Sequence, residues 1–453
     1  ESEMGKLFGT DGIRGIAGEE LTAELAFRLG IAVAHVLARS DRRTKVMIGK
    51  DTRLSGDMFE AAITAGLCAS GSDVYLLGVV PTPAVAFLVK DTGADAGVMI
   101  SASHNPSEYN GIKVFGSEGY KLSDELEDRV EEIILAKNDP APRACGIIGR
   151  VMSGEGLLEK YEDHIISVLG KKASKPRRVL FDLSNGSASA TAKTVFTPDT
   201  TGFACDFMAY DPDGININRN CGSTQMSALC KYVVDGGYDI GIAFDGDADR
   251  CLMCDENGKV IDGDMIISAF AVEMKKRGEL DKDTAVVTKL TNLGFHQLMK
   301  REGIRVATTD VGDRYVLEEM LRGGAVIGGE QSGHIILRRF ATTGDGQITA
   351  AEALNMLADY PDMTASEIFG KMKRLPQVSV NVTVPQDRKG EVMGSAAVVA
   401  KKLEIENILG DSGRILLRPS GTEALIRIML EGSDTAELSR YAEELKTVIE
   451  GIL

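Results

Sequence analysis

The chain contains no tryptophan, and aromatic residues make up only 5% of its 453 positions. Its core must therefore be built from Val, Ile, Leu, Ala and Met. Basic residues are in deficit, with 51 Lys and Arg against 67 Asp and Glu and a formal net charge of −16. That balance disfavours general binding to nucleic acid or to an anionic membrane. An anionic substrate remains admissible, but it needs a local basic site working against the global field. No apolar run approaches the ~20 residues needed to span a bilayer. The N-terminus also lacks a basic segment followed by an apolar one, so no signal peptide is expected. The seven cysteines form an odd, scattered set, which suits reduced thiols in a cytoplasmic protein rather than a disulfide framework. Cys251-Leu-Met-Cys254 has the spacing of a redox motif. Strand alternation turns its two thiols to opposite faces, so they read as structural, buried cysteines.

What is present describes an ordinary globular protein, with 43% hydrophobic and 26% charged residues. The length predicts about three domains at ~150 residues each. Three segments share one pattern: an apolar strand, a polar loop with Ser or Thr and Gly, then a helix. They begin at Lys45, Val179 and Ala285. Each is followed by a second strand ending in a more polar loop, at Ser101–Lys113, Asp245–Arg250 and Gly328–His334. The pattern predicts three α/β domains of common design. Ligands gather at the carboxyl ends of strands in open α/β sheets, so the three second loops are expected to share a cleft. The last segment differs. Val378–Val384 alternates strictly, Ile415–Leu417 and Leu425–Leu430 read as further strands, and Thr435–Leu453 reads as a closing helix capped by Thr435 or Ser433. The expected domains are 4–154, 155–257, 258–373 and a smaller α+β domain at 374–453.

Four loops carry chemistry. In Ile100–Phe115, Ser101 and Ser103 stand beside His104; Asn105-Pro106 and Asn110-Gly111 predict two turns before Lys113. A hydroxyl, an imidazole and an ammonium on one short loop suit a phosphate or a nucleophile. Asp245-Gly-Asp-Ala-Asp-Arg250 sets three carboxylates at alternate positions after an apolar strand. Such crowding is unfavourable unless a cation neutralises it, and a hard divalent ion, Mg²⁺, fits an all-oxygen set. A calcium hand is rejected, because Arg250 stands where that loop needs its turn glycine. Arg418-Pro-Ser-Gly-Thr-Glu423, followed by Arg427, combines guanidinium forks, hydroxyls and glycine amides suited to phosphate oxygens. Gly328-Gly-Glu-Gln-Ser-Gly-His334 offers the mixed donors and acceptors that sugar hydroxyls need. Near the start, Phe8–Gly15 places Arg14 among glycines.

Taken in order, the motifs FGTDGIRG, GKDTRLSG, ISASHNP, PDGININ with CGST, AFDGDADR, VGDRYVLEEM, GGEQSGH, TTGDG and RPSGTE resemble those of the α-D-phosphohexomutase superfamily, and within it the bacterial phosphoglucosamine mutases. The resemblance spans essentially the whole chain. It implies a four-domain, heart-shaped α/β architecture in which Ser103 is a phosphoserine. Asp245, Asp247 and Asp249 would hold Mg²⁺, with a phosphate oxygen on Ser103 completing the set. Gly329, Glu330, Ser332 and His334 would contact the sugar. Arg418, Ser420, Gly421 and Thr422, with Arg427 nearby, would grip the distal phosphate. Arg14, His104, Lys113 and Arg250 match further active-site positions, Lys113 or His104 serving as acid and base. The implied reaction converts glucosamine 6-phosphate to glucosamine 1-phosphate through a 1,6-bisphosphate, with a hexosamine or hexose 1,6-bisphosphate as activator. Its product would feed UDP-N-acetylglucosamine and peptidoglycan synthesis. The partner is thus a small sugar phosphate, not nucleic acid or membrane, and a homodimer is one open assembly. Gln331 points to the glucosamine type; the related phosphomannomutase/phosphoglucomutase activity is the alternative. A non-catalytic sugar-phosphate sensor, or a Mg²⁺ phosphatase with an aspartate nucleophile, would not depend on Ser103. Two positions depart from the family pattern: Asp310 where Lys is usual before VGDRY, and Ala424 where Pro commonly follows SGTE.

Overall fold

The computed structural model describes residues 7–9, 11–136, 147–420 and 423–453. They form two compact units, one of residues up to Leu290 with Arg305–Lys371, the other of Thr291–Ile304 with Met372–Leu453. The larger unit holds three sheets in chain order. The first contains β1 (Ile13–Ile16), β2 (Lys45–Lys50), β3 (Asp73–Val79), β4 (Ala96–Ile100), β5 (Tyr109–Gly116) and β6 (Val151–Ser153), in the order β1-β5-β4-β2-β3-β6. The second contains β7 (Arg178–Asp182), β8 (Ala204–Met208), β9 (Ile240–Phe244), β10 (Cys251–Asp255) and β11 (Val260–Ile261), ordered β11-β10-β9-β7-β8. The third contains β12 (Thr284–Thr288), β13 (Arg305–Thr309), β14 (Ile327–Gly329) and β15 (Ile335–Leu337), ordered β13-β12-β14-β15.

The expected repeat is present and has a sharper form than the sequence pattern conveys. In each sheet a parallel strand (β4, β9 or β14) ends in the polar loop, and the chain then returns as the antiparallel strand β5, β10 or β15. β4 and β9 are buried at all five positions, as expected of strands covered on both faces. Their side chains lock the strands that present the loops. Leu29, Ile48, Phe59, Ile63 and Val98 lie in one apolar cluster of the first sheet, where burying each large side chain contributes about 1.5–3 kcal/mol. The second repeat departs from the plain strand-helix expectation. After β7 come a 3₁₀ turn (Ser187–Ala190) and two four-residue helices, Ala192–Val195 and Pro198–Thr201.

The smaller unit carries β16 (Gln377–Thr383), β17 (Arg414–Pro419) and β18 (Leu425–Glu431) as an antiparallel sheet ordered β16-β18-β17. The closing helix runs Thr435–Glu450, and its cap is Asp434, whose carboxylate accepts from the Ala436 and Glu437 amides. The expected caps Thr435 and Ser433 are displaced because Asp434 adds charge where the helix dipole is positive. Helix Ala396–Leu409 went unpredicted: its apolar residues do not segregate to one side. The helix Leu293–Arg301 follows β12 in the chain yet belongs to this unit. Buried Glu431 accepts from the Leu293 amide (2.9 Å), the Asn292 side chain (3.3 Å) and Arg414 (2.7 Å). Among the described residues, no helix is long and apolar enough to cross a membrane.

Candidate active site

The turn after β4 is held from below by a buried pair. Asp51 and Arg53 leave the end of β2, and both side chains are fully inaccessible to solvent. Arg53 donates to the carbonyls of Ser103 (3.0 Å), Asn105 (2.8 Å) and Tyr109 (3.0 Å), and to that of Pro106. Asp51 accepts from the Ser101 hydroxyl at 2.6 Å, and that hydroxyl accepts from the Ser103 amide. Asn218 adds two donors, to the Ser103 and Asn105 carbonyls. So clamped, Ser103 adopts a left-handed backbone with φ of 52°, a conformation that non-glycine residues keep only where surroundings over-determine it. Its hydroxyl donates to Asp245 at 2.5 Å.

One expectation for this segment is overturned. Asn110-Gly111 makes no turn, and Lys113 is not on the loop: all three lie in β5, paired with β1 and β4. Gly111 is needed instead for close approach, since a Cβ there would meet the Ser101 carbonyl oxygen at 2.5 Å. The alternating residues Ile112, Val114 and their neighbours are buried, so strand pairing prevails over turn propensity. Lys113 then points from the strand into the acidic turn.

That turn follows β9. One oxygen each of Asp245, Asp247 and Asp249 lies within 4.8 Å of the others, all three residues being buried. Lys113 Nζ sits 2.9 Å from Asp247, 3.3 Å from Asp249 and 3.2 Å from Asp11. Burial works against the Lys113 charge, but Asp11, Asp247 and Asp249 outweigh it and hold the ammonium well above its ordinary range. Burial and the Asp249 and Asp247 charges push the Asp245 carboxyl well up. Burial would raise Asp247 too, yet Lys113 and Thr82 bring it below the usual carboxylate range. Thr82 donates to Asp247 through both hydroxyl (2.6 Å) and amide (2.9 Å). Asp247 Oδ1 and Asp249 Oδ1 are buried with no hydrogen-bond partner. Two orphaned carboxylate oxygens converging beside a third carboxylate fit a hard divalent cation.

Around this centre lie the other expected residues. Arg14, on β1, pairs with Asp11, and its Nη1 approaches Asn105 at 3.5 Å. His104 is half-buried; burial, with the Arg250 and Arg14 charges, pushes its imidazole down to about 4, so it is neutral at pH 7. Arg250 Nε lies 4.0 Å from Asp245 and 3.9 Å from Asp249. From the third sheet, His334 is buried 3.9 Å from Asp249 and 3.6 Å from Asp313. Both of its ring nitrogens lack a hydrogen bond. Lys121 joins Asp313 (2.5 Å) to Asp11 (2.6 Å), so a chain of alternating charges runs from the third sheet to Lys113. Glu330 accepts from the Gly312 amide (3.1 Å), while the Gln331 amide is tied back to Asp262 (3.2 Å). Glu330, Ser332, His334, Arg250, Asp249 and Gly312 help to line one cavity of about 370 Å³. The three loops thus meet as expected.

In the smaller unit, Arg418 and Arg427 face each other across β17 and β18, and Arg427 pairs with Glu423. Ser420 is buried, and its hydroxyl accepts from the Glu423 amide at 3.2 Å. Buried Lys389 donates to the carbonyls of Ser420 (2.6 Å) and Glu423 (2.5 Å). Gly421 and Thr422 lie outside the described residues. Sequence reasoning missed Asp11, Asp51, Arg53, Thr82, Lys121, Asn218, Asp313 and Lys389 as site-building residues. Five of them fall inside motifs already noted, and charged residues directly after an apolar strand, as in KDTR, were the available signal. Asp310 forms an exposed pair with Lys289 at 2.6 Å.

Family models described as phosphoglucomutase/phosphomannomutase match the whole length: alpha/beta/alpha domain I over residues 5–141, domain II over 159–258, domain III over 262–375 and the C-terminal domain over 380–448. The chain belongs to this family. It is 48% identical over 449 residues to a phosphoglucosamine mutase of Acetivibrio thermocellus, covering 99% of either chain. It is 48% identical over 452 residues to one of Caldicellulosiruptor saccharolyticus, covering 99% of this chain and 100% of the relative. A phosphoglucomutase/phosphomannomutase family protein of Burkholderia thailandensis shares the fold, with a TM-score of 0.81 at 22% identity over 98% of this chain and 97% of that one.

Proposed function

We propose that the protein is a mutase that interconverts glucosamine 6-phosphate and glucosamine 1-phosphate, with Ser103 as the phosphoryl carrier. The observation that carries this reading is the Ser103 hydroxyl bonded to Asp245 within a buried aspartate trio, in a chain nearly half identical throughout to phosphoglucosamine mutases. Phospho-Ser103 would give its phosphoryl group to a substrate hydroxyl: the Oγ–P bond breaks, a bond from phosphorus to O1 or O6 forms, and the hydroxyl proton leaves. The resulting 1,6-bisphosphate turns around, and the opposite transfer restores phosphoserine.

Asp245, Asp247 and Asp249, with a phosphate oxygen on Ser103, would hold Mg²⁺. The ion supplies Lewis-acid polarisation of the phosphate and neutralises shifting charge. Arg14, Lys113 and Arg250 add positive charge fixed in place before reaction, which is how electrostatic stabilisation avoids reorganisation cost. His104, neutral and partly open, would take or return the hydroxyl proton. Glu330, Ser332 and His334, with the Gly329 backbone, orient the sugar. Arg418, Ser420, Gly421, Thr422 and Arg427 hold the phosphate that is not reacting. A trace of hexose or hexosamine 1,6-bisphosphate would activate the enzyme by phosphorylating Ser103. The reaction belongs in the cytoplasm, supplying UDP-N-acetylglucosamine for peptidoglycan.

The test compares turnover of glucosamine 6-phosphate with that of mannose and glucose phosphates, with Mg²⁺ and trace bisphosphate. A strong preference for glucosamine phosphate is expected. A preference for mannose or glucose phosphate would keep the mechanism and overturn the specificity. Ser103→Ala should abolish transfer and the phosphoryl mass increment on that residue; retained activity would favour an aspartate nucleophile.

A further inference from the structure

Behind the Asp245–Arg250 turn lies a second cavity of about 380 Å³ that shares no lining residue with the first. Its walls are helix Thr82–Thr92, helix Leu157–Val168 and the segment Arg338–Ile348. The interior is largely apolar, and Phe87, Tyr161, His164 and Phe340 are its aromatic lining. The Phe87 ring stacks on His164 (4.5 Å between centroids, planes 16° apart), and His164 is fixed by its contact with the Phe340 carbonyl at 2.7 Å. An aromatic ligand would extend an existing stack. A cavity of this size and apolar character is typical of small-molecule sites.

The charges on the lining are unequal. The carboxylates are already engaged: Asp91 pairs with Lys160 at 2.8 Å, while Asp345 caps a helix and accepts from buried Tyr161 at 2.8 Å. Lys90, by contrast, has no carboxylate partner among the described residues, and Arg338 spends one nitrogen on the Met320 carbonyl. The uncommitted charge is therefore positive. In a chain of net charge −16, such a local cationic surplus selects for an anion.

Two of the walls also grip the acidic turn. Thr82, first residue of one wall helix, makes both bonds to Asp247. Gly346, which follows Asp345 in the other wall, donates to the Ala248 carbonyl at 2.9 Å. It packs so closely that a Cβ there would lie 2.4 Å from the Arg250 carbonyl oxygen. Anything that spreads or tightens these walls must therefore move residues 247–250.

We propose that this cavity is a second binding site for a flat, largely apolar anion, and that its occupancy modulates turnover through Thr82 and Gly346. The coupling must be reciprocal: a ligand that alters the affinity of the catalytic turn for its own partners is altered by them equally.

The test uses 2-naphthalenesulfonate as probe and isothermal titration calorimetry on the full chain. Saturable one-to-one binding is expected, and it persists with a shifted affinity at saturating glucosamine 6-phosphate. Ala341→Trp fills the cavity from a half-buried loop position and should weaken binding at least tenfold; Lys90→Ala, at an exposed side chain, should weaken it about threefold. Should Ala341→Trp not fold, Lys90→Ala carries the same comparison. Saturating probe should change glucosamine-phosphate turnover at least twofold in the wild type and not in Ala341→Trp. No saturable binding, complete displacement by the sugar phosphate, or wild-type affinity in every folded variant would overturn the site. Binding without any change in turnover would overturn the coupling.

Discussion

Replacing Arg53 by Met tests whether the reactive turn is held from beneath rather than by its own sequence. The substitution keeps an unbranched chain of similar length and removes every donor. Asp51 is then left buried without its counter-ion, and the carbonyls of Tyr109 and Pro106 lose the guanidinium. Breaking a buried pair by removing one partner costs about 3–5 kcal/mol. Burial already pushes the Asp51 carboxyl up against the Arg53 charge, so after the substitution it takes up a proton, which limits the loss to that range. Ser103 and Asn105 keep the Asn218 bonds, so the turn should shift rather than unravel. A displacement near 1 Å at a reacting atom costs about 10²-fold in rate. Turnover and thermal melting are the assays, with Asp51→Leu/Arg53→Met as control. The double variant exchanges the ion pair for apolar contact and should regain most of the melting temperature. It should not regain turnover, because the carbonyls of the turn remain unheld. If Arg53→Met retains turnover within about threefold of wild type, the scaffold argument is wrong.

Thr82→Val removes the hydroxyl on Asp247 while keeping shape; the Mg²⁺ concentration for half-maximal turnover should rise about tenfold, as for other residues that orient metal ligands, with kcat at saturating Mg²⁺ little changed. An unchanged Mg²⁺ requirement would refute this. Asp310→Lys removes the partner of Lys289 and adds a second cation at the carboxyl edge of the third sheet, so KM for the sugar phosphate should fall; an unchanged or raised KM counts against it. Asp434→Ala should lower the stability of the C-terminal helix by about 1 kcal/mol, seen as an earlier melting transition, and leave turnover at 25 °C intact.

The strands that carry the chemistry were legible because continuous apolar runs such as Ala96–Ile100 and Ile240–Phe244 have few alternatives in an α/β protein. The acidic trio was legible because its charge density demands an explanation. Lys113 was misplaced because Asn-Gly propensity is local, whereas the pairing of β5 with both β1 and β4 is not. Arg53, Thr82 and Asn218 reach the turns they hold through contacts 50 to 165 positions away in the chain, and no spacing rule reaches that far. The Asp434 cap was missed by one residue, a usual error where a run of polar residues spans a helix start. Lys389 gave no signal at all, since its role is to fill backbone acceptors beneath a turn thirty residues later.

The placement of Leu293–Arg301 with the C-terminal sheet has a consequence for modular engineering. Glu431 binds the Leu293 amide, the Asn292 side chain and Arg414 at once, so the last domain is a split cassette whose missing piece is encoded some seventy residues upstream of β16. A graft or deletion made at a single junction near residue 373 would export the sheet without this helix, leaving Glu431 with Arg414 but without its Leu293 and Asn292 donors. Exchange of this domain between relatives therefore calls for a two-segment transplant, with Thr291–Ile304 travelling alongside it.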